Sequence, residues 1–274
     1  MNLIGMNLKV TNKCNMACEF CYRDKSSVDD LELSDIKTIL KNMKELNSKI
    51  LRISGGEPLL YKNIVDVIQL ASEYNISTSM ATNGILINAS NAKKLKCAGL
   101  KGLNFSLGDM SDLNKNIFIQ KKINEIEGVN LEIGINIITS KLFIENIANN
   151  LDWIYDNLNI DYINCIIPKK GDNINWYNDN KINIDELYIL KKELIESGLN
   201  YKFDCGYYVG TIADNKDCWL FNSENKFLTV STNGFVYECP YSCDEAHSLG
   251  HFKNLKEILY NYNIKYDKFS VPCK

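Results

Sequence analysis

Three cysteines, Cys14, Cys18 and Cys21, stand within eight residues in the run Thr11-Asn-Lys-Cys-Asn-Met-Ala-Cys-Glu-Phe-Cys-Tyr22. That spacing offers three thiolates to one iron-sulfur cluster and withholds the fourth, which leaves one iron open for a substrate or cofactor. Zinc is the rival, but its usual pattern is a Cys-x2-Cys with a further pair. A second constellation lies at Ser54-Gly-Gly-Glu-Pro58, and a third at Ala81-Thr-Asn-Gly84. Gly55 and Gly56 let backbone approach a ligand closely and show it amide and carbonyl groups. Glu57 adds a carboxylate that can receive an ammonium.

The elements that position these groups read as short apolar strands alternating with amphipathic helices. Strands are expected at Met6 to Val10, Lys49 to Ser54, Ile76 to Thr82, Leu100 to Leu107, Asn130 to Ile138 and Asp161 to Pro168. Ser34 reads as the N-cap of a helix whose apolar face is Ile36, Ile39, Leu40, Met43 and Leu46. Further helices are expected at Asn63 to Tyr74, Asn88 to Ala98, Asp112 to Glu127 and Leu142 to Leu158. Strands joined by such crossovers run parallel, giving an α/β fold, either a partial (β/α)6 barrel or an open doubly wound sheet. In both, loops at the carboxyl ends of the strands converge on one site, and the three constellations occupy the first three such loops.

Composition narrows the function classes. The chain has 274 residues, 45% of them hydrophobic, with 31 Lys and Arg against 34 Asp and Glu. Dispersed basic residues and a pI near 5.6 leave no footprint for nucleic acid. No apolar run approaches the ~20 residues of a membrane span, and no signal peptide is apparent, so a cytoplasmic protein is expected. Ten cysteines in a reducing compartment point to metal ligands and buried thiols rather than disulfides, with Cys97 and Cys165 expected to be buried. The two histidines, His247 and His251, exclude a histidine-rich metal site and read as a polar surface pair that helical spacing could place on one face.

The Cys-x3-Cys-x2-Cys loop, with Phe20 before its last cysteine, and the later Gly-Gly-Glu-Pro resemble the radical S-adenosylmethionine (SAM) superfamily over residues 1 to about 170. The resemblance implies that Cys14, Cys18 and Cys21 hold a [4Fe-4S] cluster whose open iron binds SAM. One-electron cleavage would then release methionine and a 5′-deoxyadenosyl radical that abstracts a substrate hydrogen. It also implies that Gly55, Gly56 and Glu57 receive the methionine ammonium group and that Phe20, Ser106, Asn83 and Asn136 lie among the SAM contacts. A flavodoxin or ferredoxin is the implied electron donor.

The last third changes character. Cys205, Cys218, Cys239, Cys243 and Cys273 follow a helix near Asp185 to Ser197, and Lys226 to Cys239 reads as a hairpin about Asn233-Gly234. A small module of this kind gains most from a metal staple. Cys218, fifteen residues, Gly234, four residues and Cys239 is similar to the opening of the SPASM and twitch extensions of radical SAM enzymes. Five late cysteines imply a twitch-like module with one auxiliary [4Fe-4S] cluster held by Cys218, Cys239, Cys243 and Cys273, with Cys205 in reserve. A short helix is expected over Asn254 to Tyr262. The domain reading is a barrel over 1–170, a linking helical segment over 171–200 and the auxiliary module over 201–274.

The expected function is a maturase that oxidises, crosslinks or epimerises a ribosomally made peptide. The alternatives are a radical SAM enzyme acting on a small sugar, cyclitol or amino acid, and a non-catalytic iron-sulfur or zinc protein. The first strand's start at Met6 leaves no room for the leader-binding domain of many peptide maturases and favours the small-substrate alternative in that respect. Tyr22, Arg23, Asp109, Tyr207, Tyr208 and Trp219 are candidate pocket residues, each equally readable as packing or surface, and no general base is assigned.

Overall fold

The computed structural model describes residues 2–23, 29–169, 173–203, 225–241, 243 and 247–265. Its framework is a ten-stranded sheet. Six parallel strands form the centre: β1 (Asn2–Thr11), β2 (Ile50–Gly55), β3 (Ser77–Thr82), β4 (Leu100–Gly108), β5 (Glu132–Ile138) and β6 (Tyr162–Ile166). They are separated by α1 (Leu33–Glu45), α2 (Ile64–Glu73), α3 (Ala89–Ala98), α4 (Leu113–Ile126), and the pair α5 (Lys141–Glu145) and α6 (Ile147–Asn157). This is the α/β partial (β/α)6 barrel expected from the alternation of strand and helix patterns.

Two further helices and one extra strand follow: α7 (Ile174–Asn180), α8 (Ile184–Glu196) and β7 (Tyr201–Phe203), which pairs in parallel with β6. The chain then crosses to the opposite edge. There β8 (Asn225–Val230) pairs in parallel with β1, and β9 (Phe235–Tyr237) and β10 (Ser248–His251) continue the sheet antiparallel. The helix α8 and the closing helix α9 (Leu255–Lys265) match the helices expected near those positions.

Period-two alternation divides each central strand between two faces. Leu8 and Val10, Leu51 and Ile53, Leu103, Phe105 and Leu107, and Ile135 and Ile137 are at most 1% exposed and pack under the helices. The opposite face is polar and small: Asn7 and Lys9 on β1, Arg52 on β2, Ser79 on β3, Asn104 and Ser106 on β4, Asn136 on β5, Asn164 on β6. Arg52 and Tyr162 act electrostatically on each other although three strands lie between theirs, so the sheet curls and this polar face is its concave side.

The helix ends follow local chemistry. Asn88 caps α3 through Asn91 in a reciprocal box, and Gly99 ends it at φ +112°. The expected cap at Ser34 is displaced: α1 begins at Leu33 after Glu32, whose side chain makes no capping bond. The single helix expected over Leu142 to Leu158 is broken at Asn146, whose amide reaches back to Leu142 O at 3.1 Å. The Asn233-Gly234 hairpin forms as expected, with Gly234 at φ +80° and Asn233 Oδ1 accepting Phe235 N–H at 3.1 Å.

Candidate active site

The three chemistry-bearing loops leave adjacent strand ends and are stitched together. At the base of the cysteine loop, Asn12 N donates to Asp29 O and Leu31 N to Val10 O, so the chain leaves β1 and returns beside it. Lys13 Nζ reaches Asp30 Oδ2 at 2.7 Å. Burial works to raise the Asp30 carboxyl, but hydrogen bonds from Lys13 and Thr11 hold it below its usual range. Arg23 closes the loop further by donating to Asn12 O.

The second loop is welded to the first by backbone. Gly56 N donates to Thr11 O at 2.7 Å and Glu57 N to Lys13 O at 2.8 Å. A Cβ on Gly56 would stand 2.1 Å from Lys13 O, and one on Gly55, at φ +147°, 2.3 Å from Thr11 O. No other residue fits either position without moving the cysteine loop.

Glu57 has a structural role that its sequence context does not show. The residue is 1% exposed; Oε1 accepts Thr82 Oγ1–H at 2.9 Å and Leu59 N–H at 3.2 Å, and Oε2 accepts Asn83 N–H at 2.8 Å. Its carboxylate therefore ties the second loop to the third. Burial raises its pKa, against the lowering by these three donors. Asn83 completes the stitching: its Nδ2 donates to Asn15 Oδ1, on the cysteine loop, at 2.7 Å.

Cys14, Cys18 and Cys21 are all half-exposed, with Cys21 N bonded to Cys18 O. Among the described residues no set of three Cys, His, Asp or Glu side chains is already converged as metal ligands. The thiols are nonetheless neighbours. Burial raises Cys18 most, Cys21 and Cys14 add to the rise, and the Lys115 ammonium opposes it. Three thiols on an open loop, beside a backbone cradle without side chains, fit the donor set of a cluster with one vacant iron. Lys115, held by the Asp112 cap of α4, lies 5.5 Å from the Phe20 ring centroid, and Trp176 packs on the same ring at 5.7 Å. Gly108, at φ +81°, clears the space that Lys115 and Phe20 fill.

Ser106 and Asn136 lie side by side in the β4–β5 register, both half-buried on the concave face. Asp109 is committed to a turn, accepting from Ser111 N and Oγ. Tyr22 packs edge-on against Tyr241 at 4.6 Å, and Lys9 Nζ donates to Pro240 O at 2.8 Å and Cys243 Sγ at 3.3 Å. The first cysteine loop thus touches the segment bearing Cys239, which is buried, and Cys243, which is half-buried. Cys218, Cys273, Cys205, Tyr207, Tyr208 and Trp219 lie outside the described residues. Cys165 is buried as expected, but Cys97 is exposed on α3, because its position falls off the face formed by Ala92 and Leu95. The two histidines do not share a helix: His247 is exposed, while His251 ends β10 and packs on Phe252 at 4.5 Å.

Sequence reasoning missed Lys9, Arg52, Lys115, Tyr162 and Asn164. For the four on strands the signal was a polar residue at every second position of an otherwise apolar run; Lys115, in the first turn of α4, carried none.

The sequence profile of the Radical SAM superfamily matches residues 8–149, more than half of the chain. The chain belongs to the radical SAM superfamily. Membership brings a [4Fe-4S] cluster, SAM, a substrate and an electron donor. Among curated relatives, a GTP 3′,8-cyclase of Campylobacter fetus is 28% identical over 93% of this chain and 87% of its own length. A probable GTP 3′,8-cyclase of Archaeoglobus fulgidus is 37% identical over 48% of this chain and 46% of its own. Among solved radical SAM structures, Streptococcus suis SuiB bound to precursor peptide SuiA has a TM-score of 0.78 at 17% identity, covering 99% of this chain and 68% of that one. Native anSMEcpe with bound AdoMet has a TM-score of 0.69 at 17% identity, covering 97% and 84%. At these identities the structural likeness shows fold alone.

The relatives correct the expected function. Those that match along the chain are named for GTP, so the peptide maturase is not supported, nor are the sugar, cyclitol or amino acid enzyme and the non-catalytic metal protein. The residue patterns that suggested them describe the shared radical SAM machinery and say nothing of the substrate. No helix among the described residues is long and apolar enough to cross a membrane.

Proposed function

We propose that this radical SAM enzyme carries out a GTP 3′,8-cyclase type of reaction, closing a bond within a purine nucleoside triphosphate. Similarity to the Campylobacter fetus cyclase over 93% of the chain carries the reading. The concave face supports it, with Lys9, Arg52 and Lys202 as cations for phosphate and Tyr22, Tyr162 and Tyr241 as aromatic surfaces.

In this reading Cys14, Cys18 and Cys21 hold the cluster, the Gly55-Gly56 backbone faces the methionine end of SAM, and Phe20 and Ser106 border it. When bound, the cluster and SAM supply the one-electron chemistry that removes a substrate hydrogen. The chain's part is to orient substrate and keep water out: the stitched loops close one end of the polar face, and the Lys9 and Tyr22 contacts hold the late cysteines over it. Cys239 and Cys243, with Cys218 and Cys273, would hold an auxiliary cluster in a twitch-like module, and a flavodoxin or ferredoxin would supply electrons.

Bond formation between C3′ and C8 removes one hydrogen from C3′; one electron and one proton then complete the purine, so the product is isomeric with GTP. Anaerobically reconstituted protein, given SAM, dithionite and 3′-deuterated GTP, should yield deuterated 5′-deoxyadenosine and a nucleotide that has lost that deuterium. Formation of 5′-deoxyadenosine with GTP untouched would overturn the reading.

A further inference from the structure

Three asparagines on neighbouring strands form a single hydrogen-bonded chain across the concave face. Asn164 Nδ2 donates to Asn104 Oδ1 at 3.0 Å and to Asn136 Oδ1 at 2.9 Å, which spends both of its protons. Asn104 Oδ1 also accepts Tyr162 O–H at 2.7 Å. Burying these amides is costly without partners, yet the chain leaves part of their capacity unused. Among the described residues nothing bonds Nδ2 of Asn104, Nδ2 of Asn136 or Oδ1 of Asn164, although Asn104 is only 8% exposed.

The internal bonds couple the three amides, so that none of them turns alone. Flipping Asn164 would set its oxygen against two acceptors, and flipping Asn104 or Asn136 would break the bonds that Asn164 makes. The outer two amides therefore always offer like groups and the middle one the opposite; as placed here, two donors flank one acceptor. Gly134, between Asn104 and Tyr162 in the register, makes this possible: a Cβ there would stand 2.4 Å from Asn104 Oδ1 and 2.6 Å from the Tyr162 ring. Lys202 Nζ sits 3.6 Å from the Tyr162 ring centroid, and the Arg52 guanidinium, stacked on Phe227 at 4.6 Å, acts on the same tyrosine through its charge, so positive charge lies near the amides.

We propose that Asn104, Asn164 and Asn136 read the hydrogen-bonding edge of a purine base, with Tyr162 as a positioning residue that orients Asn104 and the flanking cations taking the anionic end of the same ligand. The assignment rests on the nucleotide reading above and names the residues that would give it selectivity. It moves Asn136 from the SAM side of the site to the substrate side. A buried polar site of fixed pattern rejects ligands that leave its groups unpaired.

Asn104→Asp keeps both bonds to Oδ1 and turns the unused donor into an acceptor. Calorimetry on anaerobically reconstituted enzyme should show the dissociation constant for GTP rising about tenfold or more relative to that for SAM. Tyr162→Phe, which adds no charge, should raise it severalfold and narrow the preference for GTP over ribose triphosphate. If wild-type enzyme binds GTP without cyclising it while both variants weaken binding, the cyclase reading fails and the base-reading site stands. If wild-type enzyme cyclises GTP and neither variant shifts the ratio, the base-reading site is wrong. Absence of any GTP binding by wild-type enzyme, or a loss of SAM affinity in place of GTP affinity, overturns it as well.

Discussion

Glu57 Oε2 accepts the backbone N–H of Asn83 at 2.8 Å, and through that contact, with the Thr82 hydroxyl on Oε1, the second loop of the site fixes the third. Asn83 in turn holds Asn15 on the cysteine loop, so a buried carboxylate sets the relative height of all three loops.

Glu57→Gln keeps the shape but turns one acceptor oxygen into an amide nitrogen facing a donor. A buried group left mismatched costs about 1–3 kcal/mol. Urea unfolding of the apoprotein should register that loss, and an unchanged midpoint would show that the three bonds contribute nothing.

The same residue makes a pH signature. Burial raises the Glu57 pKa in the folded chain, so its contribution is complete below the ordinary value of 4.5 and declines as pH rises through the folded value. The stability gap between wild type and Glu57→Gln should therefore narrow from acid toward neutral pH. A gap constant between pH 4 and 7.5 would contradict the burial argument.

Gly56→Ala places a methyl against Lys13 O. The cysteine loop must shift, at a cost above about 2 kcal/mol. Iron bound per chain after anaerobic reconstitution should fall sharply while the far-ultraviolet circular dichroism stays near wild type. Full iron uptake would show that the two loops are not coupled.

Lys115 is the cation that acts on Cys18. A unit charge about 10 Å away at an effective dielectric of about 20 is worth ~1.7 kcal/mol, or roughly 70 mV for one electron. Lys115→Met should lower the midpoint potential of the cluster by several tens of millivolts in a titration followed by electron paramagnetic resonance. An unmoved potential would place the ammonium too far away to matter.

Iron and sulfide counting bears on the late cysteines. Two clusters give about eight irons per chain and one gives about four. Cys239→Ser should lower a count of eight to about four, whereas no change would remove Cys239 from the ligands.

Much of this architecture was legible because the patterns that set it are local. Leu51 and Ile53, or Ile135 and Ile137, alternate with polar neighbours and can only be strands packed on one side. The cysteine triplet and the glycine pair carry their chemistry in their own spacing. The structural task of Glu57 stayed hidden because only the fold shows Thr82 and Asn83 arriving from another loop to bond its carboxylate. Asn164 and Tyr162 went unnoticed for the same reason: each matters through a partner some sixty residues away in Asn104. Substrate identity was not legible at all, since the motifs that stand out serve the cofactor shared across the superfamily.

The parallel pairing of β8 with β1 has a consequence for how the chain is made. Asn7 finds its partner Thr229 across 222 positions of sequence, so β1 keeps one edge open during synthesis until β8 has been translated. Such a long wait makes for slow folding and an interval in which that edge can capture a strand from another nascent chain. Yield in a cell should therefore depend on chaperone supply more than the stability of the finished barrel would suggest.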